Sequence, residues 1–240
     1  GPTQTPGQSE DGVELTWQVM SDVTALDPAF AYDGPTMAVM LQVTEGLLTL
    51  TPEGEIIPCL AESWEFSDDG TALTFHLKEG VTFHDGTPFN AEAVKTDFEF
   101  AHPNPNFSNI SAVAKVESIE VVDEYTVTFH YPNAYFAYLM DFCYPETMVL
   151  VSPAVLEEGN YQSMNGVVGT GPYVYEEIVD GDYVRFVRNE NYWGEQPYYD
   201  EVIVKYIPDA SARLQALQSG ELGPICVPGC FRRFLAHGSR

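Results

Sequence analysis

The sequence predicts an α/β fold of the α+β kind, built around a mixed sheet, and three observations support this class. Strand-like and helix-like segments are interleaved along the chain without a regular βαβ repeat. Several of the strand-like segments come in pairs joined by short acidic or glycine-containing turns, which is typical of hairpins. Hydrophobic residues make up 45% of the 240 positions, which is enough to bury a sizeable core.

The first predicted elements are a strand and a helix. Side chains alternate between apolar and polar over residues 14–20, which predicts a strand. A loop broken by proline and glycine follows. From Thr36 to Leu50 apolar residues recur at helical spacing, which predicts a single helix with Gly46 near its end.

The clearest local structure lies in residues 63–89. Apolar side chains alternate on both sides of an Asp-Gly turn at residues 69–70, which predicts a hairpin with His76 on its polar face. Asn90 is a favourable N-cap for the helix that follows. Pro103 is expected to end that helix, because the residue before a proline disfavours the helical conformation.

The second half of the chain repeats this mixture. We predict two further strand pairs, a short apolar helix, a buried strand, and finally a strand followed by a helix that a glycine ends. The two strand pairs turn at residues 123–124 and 180–181. The short apolar helix lies at 133–142, the buried strand at 146–153, the last strand at 201–206 and the last helix at 210–219.

The charge of the chain is strongly negative and unevenly distributed. There are 36 acidic and 10 basic residues, and all the acidic ones but only seven of the basic ones lie in residues 1–222. Such a body repels phosphate backbones, so we expect no nucleic-acid partner. The excess of acid suits cationic solutes or a salty medium, but simple solubility is the explanation that we favour. The last residues, 223–240, carry three arginines and no acid.

His84 and Asp85 stand side by side in the stretch VTFHDGTPF and could be part of an active centre or the corner of a hairpin. Asp85-Gly86 is turn chemistry flanked by alternating residues, and no nucleophile lies at a spacing that completes a triad. We therefore predict a structural pair. Cys226 and Cys230 have no second Cys/His pair nearby, and no histidines form a helical i, i+4 pair, so neither a metal nor another cofactor is predicted.

Long stretches of the sequence resemble the family 5 extracellular solute-binding proteins, the peptide- and nickel-binding receptors of ABC importers. The resemblance is carried by PCLAESWEFSDDGTALTFHLKEGVTFHDGTPFNAEAVKTDF, then by VGTGPYVYEE and VRNENYWGEQPYYDEVIVKYIPDASARLQALQSGEL, in the same order as in the family. It extends from about Glu14 to Leu222. Residues 164–166 and 188–195 are similar to the nickel-binding branch.

The resemblance implies a clamshell of two lobes, the first with an inserted subdomain, and full-length members about twice this size. We accordingly expect a flexible tether at residues 1–12, a first lobe with its insertion at 13–222, and a tail outside the family at 223–240. This organisation is that of a type II periplasmic-binding-protein lobe without its partner lobe. In such a protein the inserted HDGTPF stretch is a scaffold turn, which agrees with the structural interpretation of His84 and Asp85.

The implied function is that of a binding protein and not of an enzyme. Receptors of this kind capture a peptide or a metal chelate outside the cytoplasmic membrane and deliver it to an ABC permease. We expect a monomer that is periplasmic or extracellular and, in its parent protein, tethered as a lipoprotein. A carboxylate-dependent hydrolase is an alternative, although no spacing selects a catalytic pair among the many acids. A truncated lobe that binds nothing is another.

The resemblance also suggests four ligand-binding residues. Tyr32 and Met37 align with an aromatic and a methionine that face the cleft, although Met37 also fits the buried stripe of its helix. Glu146 stands where nickel-binding relatives have an arginine, which favours an amine-bearing or cationic ligand. A solvated loop acid is the other explanation for Glu146. His102 lies in a loop that borders the expected cleft, whereas His76, His84 and His130 are expected at the surface or in turns.

Overall fold

The computed structural model describes residues 14–19, 34–143, 149–158 and 167–222. The predicted tether at 1–12 and tail at 223–240 lie outside these residues. The strands, in chain order, are β1 Glu14–Val19, β2 Glu45–Gly46, β3 Leu48–Leu50, β4 Ile56–Pro58, β5 Ala61–Phe66, β6 Ala72–Leu77, β7 Ser118–Asp123, β8 Thr126–His130, β9 Val149–Leu150, β10 Tyr173–Val179, β11 Tyr183–Arg188 and β12 Glu201–Tyr206. The helices are α1 Gly34–Met40, α2 Ala91–Ala101, α3 Ser111–Ala114, α4 Tyr138–Asp141, α5 Pro153–Glu158 and α6 Ala210–Ser219.

One four-stranded sheet is built from the two ends of the described chain, and we call it the terminal sheet. Its strand order is β1-β12-β11-β10. Strand β1 runs parallel to β12, with Glu14 opposite Glu201, and the other neighbours are antiparallel. The predicted strand alternation in β1 is confirmed, because Leu15, Trp17 and Val19 are buried in the core of this sheet.

The second four-stranded sheet, which we call the inserted sheet, is antiparallel throughout and has the order β5-β6-β8-β7. The two predicted hairpins form it, and the Asp-Gly turn is confirmed by a positive φ of 71° at Gly70. Its core is aromatic: the ring of Phe129 lies within 6 Å of the centroids of Phe75, Phe98 and Phe142. Aromatic pairs with this edge-on geometry stabilise a core beyond their buried area.

Helix α2 covers the inserted sheet and begins as predicted. The Asn90 side chain accepts a hydrogen bond from the backbone N–H of Ala93 at 3.0 Å, which satisfies one of the free donors of the first turn. The buried residues of α2 include Val94 and Phe98, the apolar face that the sequence indicates. At the other end of the chain α6 is capped by Asp209 and ends at Gly220, as expected.

The predicted single helix from Thr36 to Leu50 is wrong in its second half. Helix α1 ends at Met40, and the chain then turns into β2 and β3. Strand β2 pairs with β9, and β3 pairs with β4. Helical spacing of apolar residues cannot distinguish a buried helix from short buried strands, and here the long-range pairing with β9 overrides the local pattern.

Among the described residues, none of the helices is both long and apolar enough to cross a membrane. The mixed α/β class predicted from the sequence is confirmed. The two sheets have separate cores, and the segments between them meet at a junction that we define as residues 42–46, 149–152, 167–173 and 189–193.

Candidate functional site

The structure describes two of the four predicted ligand-binding residues. Tyr32 and Glu146 lie outside the described residues. Met37 is 4% exposed and belongs to the core of the terminal sheet. His102 is exposed at the end of α2, and its Nδ1 lies 2.8 Å from the carbonyl oxygen of Val113. Their role in ligand binding stays a prediction.

The hydrogen bond of His102 fixes which ring nitrogen faces the protein. A carbonyl oxygen can only accept, so Nδ1 of His102 donates to Val113, and in the neutral ring Nε2 is the nitrogen with the lone pair. An imidazole held in this way presents a hydrogen-bond acceptor at an exposed position. That is a suitable group for an ammonium or a metal complex.

The junction brings the strand that follows Glu146 into a fixed position. Strand β9 pairs with β2 so that Leu150 lies opposite Glu45. One residue further, the backbone N–H of Val151 donates to Asp97 of α2 at 2.8 Å. Ser152 donates from its backbone to the carbonyl of Val168 at 2.8 Å. The segment is therefore held from three sides.

Two glycines allow the chain segments of the junction to touch. A Cβ at Gly169 would lie 2.1 Å from the carbonyl oxygen of Val43, and one at Gly171 would lie 2.7 Å from the same atom. In place of side chains there are backbone hydrogen bonds. Gly171 donates to Val43 at 2.9 Å, and Tyr173 donates to Gln42 at 3.0 Å. Any residue other than glycine would separate these segments.

A buried carboxylate lies at the centre of the junction. Glu45 is completely buried, and its Oε1 accepts a hydrogen bond from the Tyr192 hydroxyl at 2.8 Å. Its Oε2 accepts from Trp193 Nε1 at 2.7 Å and from the Thr170 hydroxyl at 3.0 Å. The Cys59 thiol lies 4.0 Å from Oε1. A buried charge is tolerated in a protein only when it is satisfied in this way.

His84 and Asp85 are structural, as predicted. His84 Nε2 donates to the carbonyl of Gly171 at 2.9 Å, and the Ser152 hydroxyl donates to Asp85 Oδ2 at 2.6 Å. Gly86 has a φ of 85°, which the turn requires. The pair therefore ties the corner between β6 and α2 to the junction.

Burial lowers the pKa of His84 below its ordinary value of 6.5, although the Gly171 carbonyl and the Asp85 charge act in the opposite direction. Its Nδ1 is buried and has no hydrogen-bond partner. Protonation would place an unsatisfied donor there, which agrees with the direction of the shift.

The chemistry of the described residues is that of holding and positioning. Among them, no group of three His, Cys, Asp or Glu side chains is arranged to hold a metal ion. Cys59 and Cys143 are buried and are not joined in a disulfide, and burial raises the pKa of Cys143 to about 11. A thiol with a raised pKa is a poor nucleophile.

Sequence reasoning missed Glu45 altogether, because the residue fell inside the predicted helix. One signal was available. Glu45 is the only charged residue between Thr36 and Leu50, a run that is otherwise apolar or small and polar. An acid embedded in such a run is expected to be buried, and a buried acid needs donors.

Comparison with known proteins identifies relatives of the chain. Residues 55–226 match the family described as bacterial extracellular solute-binding proteins, family 5 Middle. The nickel-binding periplasmic protein of Escherichia coli strain K12 is 31% identical over 216 residues, which are 88% of this chain and 40% of that protein. The glutathione-binding protein GsiB of Escherichia coli O1:K1 / APEC is 33% identical over 210 residues, 87% of this chain and 41% of that protein.

The fold of the chain is also found in a solved structure. NikA from Brucella suis, in complex with Fe(III)-EDTA, matches with a TM-score of 0.80 and 33% sequence identity, covering 94% of this chain and 47% of that one. The chain thus spans about 40% of the length of the curated relatives it matches. Similarity to a nickel-binding and to a glutathione-binding protein is nearly equal, so identity alone does not select a ligand.

Proposed function

The chain belongs to the bacterial extracellular solute-binding proteins of family 5, and on that premise we propose that it is the first lobe of a receptor that captures a peptide or a nickel chelate for an ABC permease. The family match across residues 55–226 carries the proposal. Proteins of this family bind solutes and are not enzymes, as the sequence predicted, and this removes the hydrolase alternative. The proposed place of action is outside the cytoplasmic membrane, with a lipoprotein tether in the parent protein and a monomeric state.

We infer further that the ligand presents an amine or a net positive charge to this lobe. Each described lysine and arginine has a partner within the fold: Lys78 and Lys115 lie over aromatic rings, Lys95, Arg185, Arg188 and Lys205 pair with acids, and Arg213 donates to backbone carbonyls. Residues 20–33 and 144–148 contain acids but neither lysine nor arginine, and residues 159–166 contain no charged residue. A ligand carboxylate would therefore find few cations here, whereas an ammonium suits the predicted Glu146.

Native mass spectrometry of the purified chain tests whether it binds a ligand and whether that ligand presents an amine or a positive charge. We expect adducts with a mixture of di- and tripeptides that have free amino termini, or with nickel and L-histidine. The matched controls are the same peptides after N-acetylation and the anionic nickel–EDTA complex, which should give none. Bare protein under every condition would contradict binding by this chain. Preferential capture of nickel–EDTA would contradict the inferred charge of the ligand.

Two variants locate the site. Glu146→Gln and His102→Ala should weaken the adduct with free-amine ligands, because each removes a group suited to an ammonium. Glu117→Gln replaces an exposed glutamate that is not among the predicted ligand-binding residues and should leave the adduct unchanged. Equal effects of Glu117→Gln and Glu146→Gln would mean that only the overall charge of the protein matters.

A further inference from the structure

Glu45 joins parts of the molecule that belong to different sheets. Tyr192 and Trp193 lie in the turn that follows β11 of the terminal sheet. Thr170 lies just before β10 of the same sheet. On the other side, Cys59 precedes β5 of the inserted sheet, and β2 itself pairs with β9. The backbone N–H of Leu60, just before β5, donates to the carbonyl of Gly46 in β2. The Glu45 carboxylate therefore bonds to segments of the terminal sheet from a strand that is itself bonded to the start of the inserted sheet.

The groups around Glu45 are all able to donate a hydrogen bond, and a carboxylate can accept from all of them. The indole N–H of Trp193 can only donate, whereas the hydroxyls of Tyr192 and Thr170 can donate or accept. Glutamate offers one oxygen to Tyr192 and the other to Trp193 and Thr170. Charged acceptors also form the stronger hydrogen bonds.

A cation next to the end of β6 contacts the same indole ring. The Lys78 ammonium lies 5.1 Å from the centroid of the Trp193 ring, and the backbone N–H of Lys78 donates to Leu60 just before β5. A cation over the face of an indole is attracted by the ring. Lys78, Trp193 and Glu45 thus form a continuous line of contacts from the inserted sheet, through the turn after β11, to β2.

We propose that Glu45 is a positioning residue: its buried carboxylate holds the two sheets in one orientation and, through the β2–β9 pair, fixes the segment that follows Glu146. The first part stands on the contacts alone. The second part rests on the proposed function, because it assigns an effect on ligand affinity to a residue that does not contact the ligand.

The three tryptophans of the chain provide the test of the first part. Trp17 lies in β1 of the terminal sheet, Trp64 in β5 of the inserted sheet, and Trp193 at the junction. Incorporation of 5-fluorotryptophan gives each a separate ¹⁹F resonance. In the wild-type chain we expect the native resonances of Trp17 and Trp64 to disappear at the same urea concentration, because one cooperative unit unfolds as a whole.

Glu45→Gln is the informative variant. A glutamine amide keeps the shape and can still accept from Trp193 while donating to the Tyr192 hydroxyl, so folding is preserved while the charge is lost. We expect the Trp193 resonance to shift in the native state and the transitions of Trp17 and Trp64 to occur at different urea concentrations. Coincident transitions in Glu45→Gln, or separate ones in the wild-type chain, would overturn the proposal.

Two further variants make the result specific. Glu201→Gln removes a carboxylate that accepts from Arg185 within the terminal sheet alone, and it should leave the two transitions coincident. Trp193→Phe removes the indole donor but keeps an aromatic ring, and it should separate them as Glu45→Gln does. Separation by Glu201→Gln would show that any lost glutamate charge loosens the fold, and the specific role of Glu45 would then be wrong.

The second part of the proposal is tested by measuring the dissociation constant of a ligand. The ligand is whichever probe binds the wild-type chain, free-amine peptides or nickel with L-histidine. Glu45→Gln should raise the dissociation constant roughly 2- to 30-fold, the range found for residues that act on a distant site. An unchanged constant together with separated transitions would overturn the second part only. If the wild-type chain binds neither probe, the proposed function fails, whereas the unfolding experiment still decides whether Glu45 couples the sheets.

Discussion

The terminal sheet and the inserted sheet have the same number of strands but differ in how far apart their neighbouring strands lie in the sequence. The inserted sheet is made of two local hairpins, β5-β6 and β7-β8, which join through β6 and β8. The terminal sheet has one local pair, β10-β11, and depends on β1, which comes from the opposite end of the described chain. The inserted sheet can form from its own residues, whereas the terminal sheet needs the whole described chain in place.

The ion pairs on the surface of the terminal sheet do little to stabilise it. In the terminal sheet Arg185 contacts Glu176, Glu177 and Glu201, and all four side chains are partly exposed to solvent. Exposed ion pairs contribute little to stability. The terminal sheet therefore depends on its core and on the junction, and the junction is the point at which the two sheets stabilise each other.

The largest expected effect comes from the core of the inserted sheet. Phe129→Ala removes a fully buried ring that contacts three other phenylalanines, and it should lower the free energy of unfolding by about 3–5 kcal/mol. Phe136→Ala is the matched control, because Phe136 is 66% exposed, and it should cost less than about 1 kcal/mol. Urea titration followed by circular dichroism measures both. A comparable loss in the two variants would mean that the inserted sheet has no core of its own.

A smaller but more selective effect is expected at the junction. Gly169→Ala places a Cβ against the carbonyl of Val43 and should cost about 3 kcal/mol, because backbone atoms cannot yield as a flexible side chain does. Gly86→Ala introduces strain at a positive φ but meets no neighbour, and should cost about 1–2 kcal/mol. Thermal unfolding ranks the two. If Gly86→Ala proved the more damaging, the close approach at the junction would not matter for stability.

The smallest expected effect concerns pH. Because burial holds the pKa of His84 below its ordinary 6.5, the neutral ring stabilises the fold above that value, and the contribution is lost as the pH falls through the lowered pKa. His84→Gln can still donate to Gly171 but does not titrate. Acidification from pH 7.5 to 5 should therefore destabilise the wild-type chain more than His84→Gln in urea titrations.

An equal loss in both proteins would show that other groups carry the acid sensitivity. His76 lies 3.9 Å from Glu65 and His130 lies 3.1 Å from Glu120, both on the inserted sheet. These two contacts are unchanged in His84→Gln and are therefore common to both proteins.

Local features of the fold could be predicted from the sequence because their causes are local. Turn residues such as Asp69 and Gly70 determine a hairpin within a few positions, and the Asn90 side chain caps the helix that begins beside it. The mixed class and the structural role of His84 and Asp85 followed from the same kind of evidence together with the family resemblance.

What could not be predicted depends on contacts between distant parts of the chain. Nothing in the residues of β1 indicates that β12 is its neighbour, and the end of α1 at Met40 is set by the pairing of β2 with β9. The bonds of Glu45 to Thr170, Tyr192 and Trp193 cross more than half of the sequence. The ligand-binding roles of Met37 and His102, like those of Tyr32 and Glu146, stay predictions, because a binding role depends on what surrounds a side chain and on the ligand.

The parallel pairing of β1 with β12 has a consequence for the order in which the protein is made. A ribosome synthesises β1 first, yet this strand has no partner in the terminal sheet until Tyr206 has emerged. The hairpins of the inserted sheet are complete long before that, and domains commonly fold as they are synthesised. During synthesis β1 is therefore an exposed apolar strand, and it needs protection from aggregation until the last strand of the sheet arrives.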